Sequence, residues 1–141
     1  MSFAKQMREF AEKSQRGYRQ VVATSLFDLS GVIAEMTPRK EGRAAGNWFP
    51  SLGTPDLHID EDATSFNEAL AEQITDGAAG HVFFLTNSLP YIRKLEYGLY
   101  PKNPATGNST INGFSTQAQA GMVRVSIENY QKFIDNAISK L

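Results

Sequence analysis

Apolar side chains recur at steps of three and four residues from residue 3 to residue 36, which is the period of one helix face. The stripe consists of Phe3, Met7, Phe10, Tyr18, Val22, Leu26, Leu29, Ile33 and Met36, with Ser14 in its one gap. Gly17 and Ser30-Gly31 are points at which such a helix could bend. Thr37-Pro38 ends the pattern, because a residue before proline is pushed out of the helical region. A helix of this length exceeds what a small domain needs, so we expect part of its stripe to face another chain.

Shorter patterns follow in the middle of the chain. The segment NWFPSLG (47–53) predicts a short strand, and Pro50 favours a position at the edge of a sheet. The apolar residues Phe66, Leu70 and Ile74 predict a helix that is capped by Thr64 or Ser65 and ends before Gly77. The β-branched and aromatic run GHVFFLTN (80–87) is the strongest strand candidate.

The segment NSLPYIRKLEYG (87–98) predicts a short helix. Ser88 can cap it, Pro90 is tolerated in its first turn, and Gly98 lies where a glycine follows a helix end. Tyr91 and Leu95 would then share one face, because they are four residues apart. A turn that leads into another strand is the competing interpretation.

The last third of the chain begins without periodicity. Residues 99–121 are rich in Gly, Pro, Asn, Ser and Thr, which predicts a long flexible loop that is mobile in the free subunit. Within it, Phe114 would anchor another chain or fold back onto its own sheet. The segment MVRVS (122–126) predicts an extended piece, followed by a helix with the face Val123, Ile127, Tyr130, Ile134, Ala137 and Leu141. No repeat or second boundary is visible, so a single domain is expected over 1–141.

Composition narrows the class of protein without naming a function. The chain has 141 residues, of which 41% are hydrophobic and 21% charged, and these values are typical of globular proteins. Cysteine is absent, which excludes disulfides, thiolate metal sites and cysteine catalysis. No apolar run reaches the roughly 18 residues of a membrane helix, and a net charge of −1 gives no overall attraction to nucleic acid. We therefore expect a soluble, intracellular protein without a membrane partner.

The most metal-like residues are His58, Asp60, Glu61 and Asp62. Their spacing matches neither the EF-hand loop nor HExxH, and an acidic loop before a helix N-terminus is the simpler interpretation. A metal hydrolase built on these acids is a formal alternative. The chain also lacks GxSxG and the phosphate-binding glycine motifs. We expect no catalytic residue, metal or cofactor, and no enzymatic activity.

A small basic group, Arg39, Lys40 and Arg43, lies near Trp48 in the sequence. It could contact a phosphate backbone, which makes a small nucleic-acid-binding protein the alternative function. Pairing with carboxylates of a neighbouring subunit is favoured instead. Glu96 is either exposed or a half-buried partner for an arginine such as Arg43.

Three segments together resemble a known family: TPRKEGRAAGNW (37–48), VFFLTNSLPYIRKLEYG (82–98) and STQAQAGMVRVSI (115–127). They are similar, in the same order, to motifs of the tail-completion family of tailed phages, small neck or minor tail proteins of the lambda Z type. The matching residues are Thr37, Pro38, Gly42, Arg43, Asn47, Trp48, Asn87, Leu89, Pro90, Tyr91, Leu95, Glu96, Tyr97, Gly98, Ser115, Gln117, Ala118, Gly121, Met122, Val123 and Arg124. RKE (39–41) replaces the family's Val-Asp-Thr, Gln119 replaces a proline, and the segment between the last two motifs is longer.

The resemblance implies an α+β fold in which a long N-terminal helix and a C-terminal helix pack on a small, mostly antiparallel sheet. It implies a structural virion protein in the tail or neck, which forms a ring and joins tail to head. By analogy with tail symmetry the ring would be a hexamer, with tail-tube or terminator and head-connector proteins as its partners. No catalytic residues accompany the family. The candidate motif and interface residues are Arg43, Trp48, Pro90, Tyr91, Glu96, Tyr97, Phe114 and Arg124; of these we expect Trp48 and Tyr91 to pack inside the fold.

Overall fold

The longest element is helix α1, Phe3–Met36, which has 34 residues. In this computed structural model the described residues are 2–38, 42–97, 110–111, 114–115 and 121–141. The side chain of Ser2 accepts a hydrogen bond from the backbone N–H of Lys5 and caps the helix, which ends at Thr37 in an extended conformation. The predicted helix and its stop at Thr37-Pro38 are confirmed, and the helix continues through Gly17 and Ser30-Gly31 without interruption.

A small antiparallel sheet and two helices make up the middle of the chain. Helix α2 (Arg43–Gly46) leads into strand β1 (Phe49–Leu52), which pairs with strand β2 (Phe83–Thr86). Pro50 lies opposite Leu85. Both strands are edges of this two-stranded sheet, as the proline suggested.

Helix α3, Glu68–Asp76, connects the two strands and begins later than predicted. Its cap is Asn67, whose side-chain oxygen accepts a hydrogen bond from the N–H of Leu70 at 3.1 Å. The prediction of Thr64 or Ser65 was wrong, because the chain before Asn67 packs across Gly42 and Gly46 and is not free to enter a helix there. Phe66 therefore precedes the helix and packs against the core.

Helix α4 (Ile92–Tyr97) confirms that this segment forms a short helix. It begins at Ile92, so Pro90 precedes the helix instead of lying in its first turn, and Ser88 is too far from its start to be the cap. Two further helices follow, α5 (Val123–Glu128) and α6 (Tyr130–Ser139). The extended piece predicted over 122–126 was wrong, since α5 begins directly after Met122. A tertiary contact explains the difference: the carboxylate of Glu96 accepts hydrogen bonds from the first backbone N–H groups of this helix.

The predicted loop, 99–121, is described only in part. Strands β3 (Thr110–Ile111) and β4 (Phe114–Ser115) pair as a short antiparallel ladder. Residues 98–109, 112–113 and 116–120 lie outside the described residues, as does the side chain of Phe114. The expectations of a mobile loop and of a Phe114 anchor therefore remain predictions.

The core lies on the C-terminal half of α1. Its buried members are Ile33, Ala34, Ala44, Trp48, Leu89, Leu95 and Met122. Helix α6 packs along α1, where Ser25 Oγ and Tyr130 OH are 2.9 Å apart, and α3 contacts both α1 and β1. The α+β prediction is confirmed: a long N-terminal helix contacts the C-terminal helix beside a small antiparallel sheet.

Candidate functional site

The acidic segment that resembled a metal site is a surface loop with its own internal bonds. His58 pairs through Nδ1 with Asp56 and stacks on the ring of Phe49, with 3.8 Å between ring centroids. The hydrogen bond from the His58 side chain, above all, lowers the pKa of the Asp56 carboxyl. Glu61 pairs with Arg43. Among the described residues, no three His, Asp or Glu side chains are grouped as a metal ion would require.

Trp48 is held inside the fold by a chain of two hydrogen bonds. Its indole Nε1 donates to Thr37 Oγ1 at 2.8 Å, and this hydroxyl donates to the carbonyl of Ile33 at 2.7 Å. The Trp48 side chain is only 6% exposed, as expected for a packing role. Because the ring is buried, it is not accessible for stacking on a nucleic-acid base.

Asn47 connects the acidic loop, residues 56–62, to the end of α2. Its side-chain nitrogen donates to the carbonyls of Arg43 and Asp60, and its side-chain oxygen accepts from the N–H of Asp60 at 2.8 Å. Gly42 lies against the chain just after this loop. Its φ is 80°, and a Cβ at this position would lie only 1.9 Å from the Thr64 carbonyl oxygen, so no side chain fits there. The segment 42–48 therefore fixes where the loop lies.

Arg43 has a partner within its own chain, Glu61, and not the Glu96 that the sequence suggested. The expected pairing with carboxylates of a neighbouring subunit remains a prediction. Its side chain is about one third exposed. Arg39 and Lys40, the other members of the basic group, lie outside the described residues. The described part of this group is thus a link between α2 and the acidic loop.

The second motif contributes to the core. Asn87 donates from its side chain to the carbonyl of Ala44 at 2.8 Å and accepts from the N–H of Leu89. Leu89 is buried, Tyr91 is half-buried against the core, and Pro90 is exposed at the turn that precedes α4. The motif connects the end of β2 to α2 and the core.

Among the described residues, the densest polar contact joins the second and third motifs. Glu96 Oε2 accepts from the backbone N–H groups of Met122 and Val123 at 2.9 and 2.8 Å. Glu96 Oε1 accepts from the N–H of Arg124 and from its Nε, both at 3.0 Å. Arg124 also donates from Nη2 to the Glu96 carbonyl at 2.8 Å. We call this contact the Glu96 clamp.

The clamp brings together three of the candidate site residues. The guanidinium carbon of Arg124 lies 4.9 Å from the centre of the Tyr97 ring, and that of Arg93 lies 5.9 Å from it. The phenol ring is half exposed. Each carboxylate oxygen of Glu96 already accepts two hydrogen bonds, so neither is available to act as a general base.

A different kind of surface lies on the first half of α1, and we call residues 3–20 the α1 arm. Its apolar residues Phe3, Met7, Phe10 and Tyr18 are 76%, 52%, 68% and 61% exposed. Where the arm meets the end of α6, an open apolar cavity of about 490 Å³ is lined by Phe10, Tyr18, Val21, Ile138 and Leu141, among others. The α1 arm is thus the part of the long helix that extends beyond the core.

Comparison with other proteins adds no identification: no family model, curated protein or solved structure matches the chain. Within the described residues, no helix combines the length and the apolar character that crossing a bilayer requires.

Sequence reasoning named the site residues but not most of their partners. It did not pair Glu96 with Arg124, nor Asn47 with Asp60, because these partners are distant in the sequence. The motif resemblance gave the one available signal, since it placed the Glu96 and Arg124 segments in one pattern.

Proposed function

We propose that this protein is a structural component of a tailed phage or prophage, which completes the tail and helps to join it to the head as a ring of subunits. The proposal rests on the resemblance of three motifs to the tail-completion family. It is supported by one observation above all: the described residues of these motifs, far apart in the sequence, meet in a single bonded framework around the core.

The framework has three links. Two of them join different motifs, Asn87 to the Ala44 carbonyl and Glu96 to the start of α5, and the third, Trp48 to Thr37, lies within the first motif. If the similarity to the family motifs had arisen by chance, the matching residues would not be expected to be the ones that hold the fold together. The agreement therefore supports a shared architecture, and the exposed α1 arm supports a function that depends on contact with other chains.

The most direct test removes the gene from the phage or prophage genome that carries it. We expect induced lysates to contain full heads and separate tails when viewed by electron microscopy, because the joining component is missing. Expression of the protein in trans should restore joined particles and plaque formation.

The matched control is the variant Ile127→Ser, which changes an exposed apolar side chain on α5 and should complement as well as the unaltered protein. Normal infectious particles without the gene would overturn the proposal, and so would a gene that lies in no phage or prophage region.

A further inference from the structure

The α1 arm combines exposed apolar side chains with positive charge. It carries five basic residues, Lys5, Arg8, Lys13, Arg16 and Arg19, and two glutamates, which gives residues 2–20 a formal charge of +3. The whole chain carries −1, so the remaining residues carry −4. The arm is therefore a basic amphipathic helix on an acidic molecule.

The opposite charge is concentrated in one part of the chain. Between Arg43 and Arg93 there are seven carboxylates and no lysine or arginine. Four of them, Asp56, Asp60, Glu61 and Asp62, belong to residues 56–62, which we call the acidic loop. No hydrogen bond or ion pair of the described residues involves the Asp62 carboxylate, and its side chain lies on the surface.

The acidic loop also presents apolar side chains. Leu57 and Ile59 are 67% and 39% exposed between these carboxylates. The loop is held in place by the Asn47 bonds to Asp60 and by the stack of His58 on Phe49. A surface that is already ordered loses little conformational entropy when a partner binds to it.

The arm and the loop have complementary chemistry, but they are not joined within one copy. The ion pairs of the described residues are Arg43–Glu61, His58–Asp56 and Arg124–Glu96, and none includes a cation of the arm. Two arms carrying +3 each would repel one another if they paired side by side. An arm against an acidic loop brings opposite charges and apolar surfaces together.

We propose that the α1 arm of one subunit docks on the acidic loop of a second copy of this chain. Phe3, Met7 and Phe10 of the arm cover Leu57 and Ile59 of the neighbour, while the long side chain of Lys13, about 90° around the helix from this stripe, reaches its carboxylates. The contact is head-to-tail, so it repeats around a ring or along a filament instead of ending at a dimer.

This contact rests on the proposed function, because it names the two surfaces that would join subunits in the proposed ring. It is a property of the purified protein alone. If the purified protein does not associate, the docking proposal is wrong, whereas the proposed role in the virion is tested separately by the gene deletion. Failure of one proposal can therefore be distinguished from failure of the other.

The test uses two variants of the full chain, which we call blocked variants because each has one of the two contact surfaces disrupted. The arm variant carries Phe3→Glu and Met7→Glu, and the loop variant carries Leu57→Lys and Asp62→Lys. All four side chains are exposed, so the fold should be retained, as circular dichroism and the fluorescence of the buried Trp48 would verify. The control is Ile127→Lys, an equally exposed apolar residue on α5, which should associate like the unaltered chain.

Sedimentation velocity at about 50 mM salt should show concentration-dependent association of the unaltered chain that weakens at least tenfold at about 500 mM, because opposite surface charges are then screened. Each blocked variant alone should remain monomeric. An equimolar mixture of the two should form a dimer and no larger species, because only one intact arm and one intact loop remain to be joined.

Several results would overturn the proposal. One is an unaltered chain that stays monomeric at several hundred micromolar and low salt. Another is a loop variant that still associates while the arm variant does not, which would mean that arms pair with arms. A third is an unaltered chain that remains monomeric yet binds duplex DNA or vesicles of anionic phospholipid through the arm, since its basic face would then serve a different partner.

Discussion

At the scale of single residues, the polar members of the motifs act as buried connectors. Asn47 is completely buried, and the Glu96 side chain is 10% exposed, yet the side chains of both find several hydrogen-bond partners. Burial of a polar group costs free energy unless its hydrogen bonds are replaced, so these positions tolerate few substitutes. These polar motif residues therefore stabilise the fold.

The Glu96 clamp gives a prediction for one carboxylate. Glu96→Gln keeps the shape of the side chain but directs an NH₂ group at backbone N–H donors, and it removes the charge that pairs with Arg124. We expect the free energy of unfolding to fall by about 2–4 kcal/mol, as measured by urea denaturation.

Arg124→Gln is the matched control, because it removes the other charge of the pair and leaves all backbone donors in place. Its side chain is 50% exposed, so we expect a loss of only about 1 kcal/mol or less. Equal losses in the two variants would mean that the ion pair, and not the backbone hydrogen bonds, supplies the stability of the clamp.

At the scale of elements, α1 has two different halves. Residues 2–16 are exposed throughout, whereas Ser25, Ser30, Ile33 and Ala34 are buried against the rest of the fold. The C-terminal half thus gains its stability from packing, while the arm relies on helix propensity and on any partner that covers it.

Two glycines on different elements should respond in opposite ways to the same substitution. A Cβ on Gly31, within α1, would meet no atom within 4 Å, so Gly31→Ala should stabilise the protein by about 0.5–1 kcal/mol. Gly121 has a φ of 86°, and a Cβ there would lie 2.6 Å from the Glu96 carbonyl oxygen. Gly121→Ala should cost about 2 kcal/mol or more.

Thermal and urea denaturation of the two glycine variants would measure both changes. A destabilised Gly31→Ala variant would indicate that the helix needs flexibility at this point. A neutral Gly121→Ala variant would indicate that the close approach between the start of α5 and α4 can relax without loss.

At the scale of the whole molecule, one core supports a helix that extends past it. The arm rises by about 27 Å along its axis, and only its last turns lie against the end of α6. Stability should therefore be uneven, highest around Trp48 and lowest toward the N-terminus.

This unevenness can be measured because the chain has a single tryptophan. In dilute solution, far-UV circular dichroism should begin to fall with temperature before the emission of Trp48 shifts, since the arm loses helix while the core is intact. At concentrations that favour association the two transitions should move together. Coincident transitions in a demonstrably monomeric sample would contradict this expectation.

Local patterns were sufficient for several of the elements. The three- and four-residue spacing predicted α1 and Thr37-Pro38 predicted its end, while the aromatic run of 80–87 predicted β2. These features depend on neighbouring residues and on the conformations that each backbone can adopt, which the sequence states directly.

Contacts between distant segments decided the rest. The start of α3 at Asn67 and the helical state of 123–128 depend on Gly42 meeting Thr64 and on Glu96 meeting the N–H groups of α5. In the same way, the sequence by itself determined that α1 has an apolar stripe, whereas only the tertiary structure decided which half of it is covered. The physical reason is that burial and hydrogen-bond partners depend on which distant segments folding brings together. The periodicity along one element carries no information about those segments.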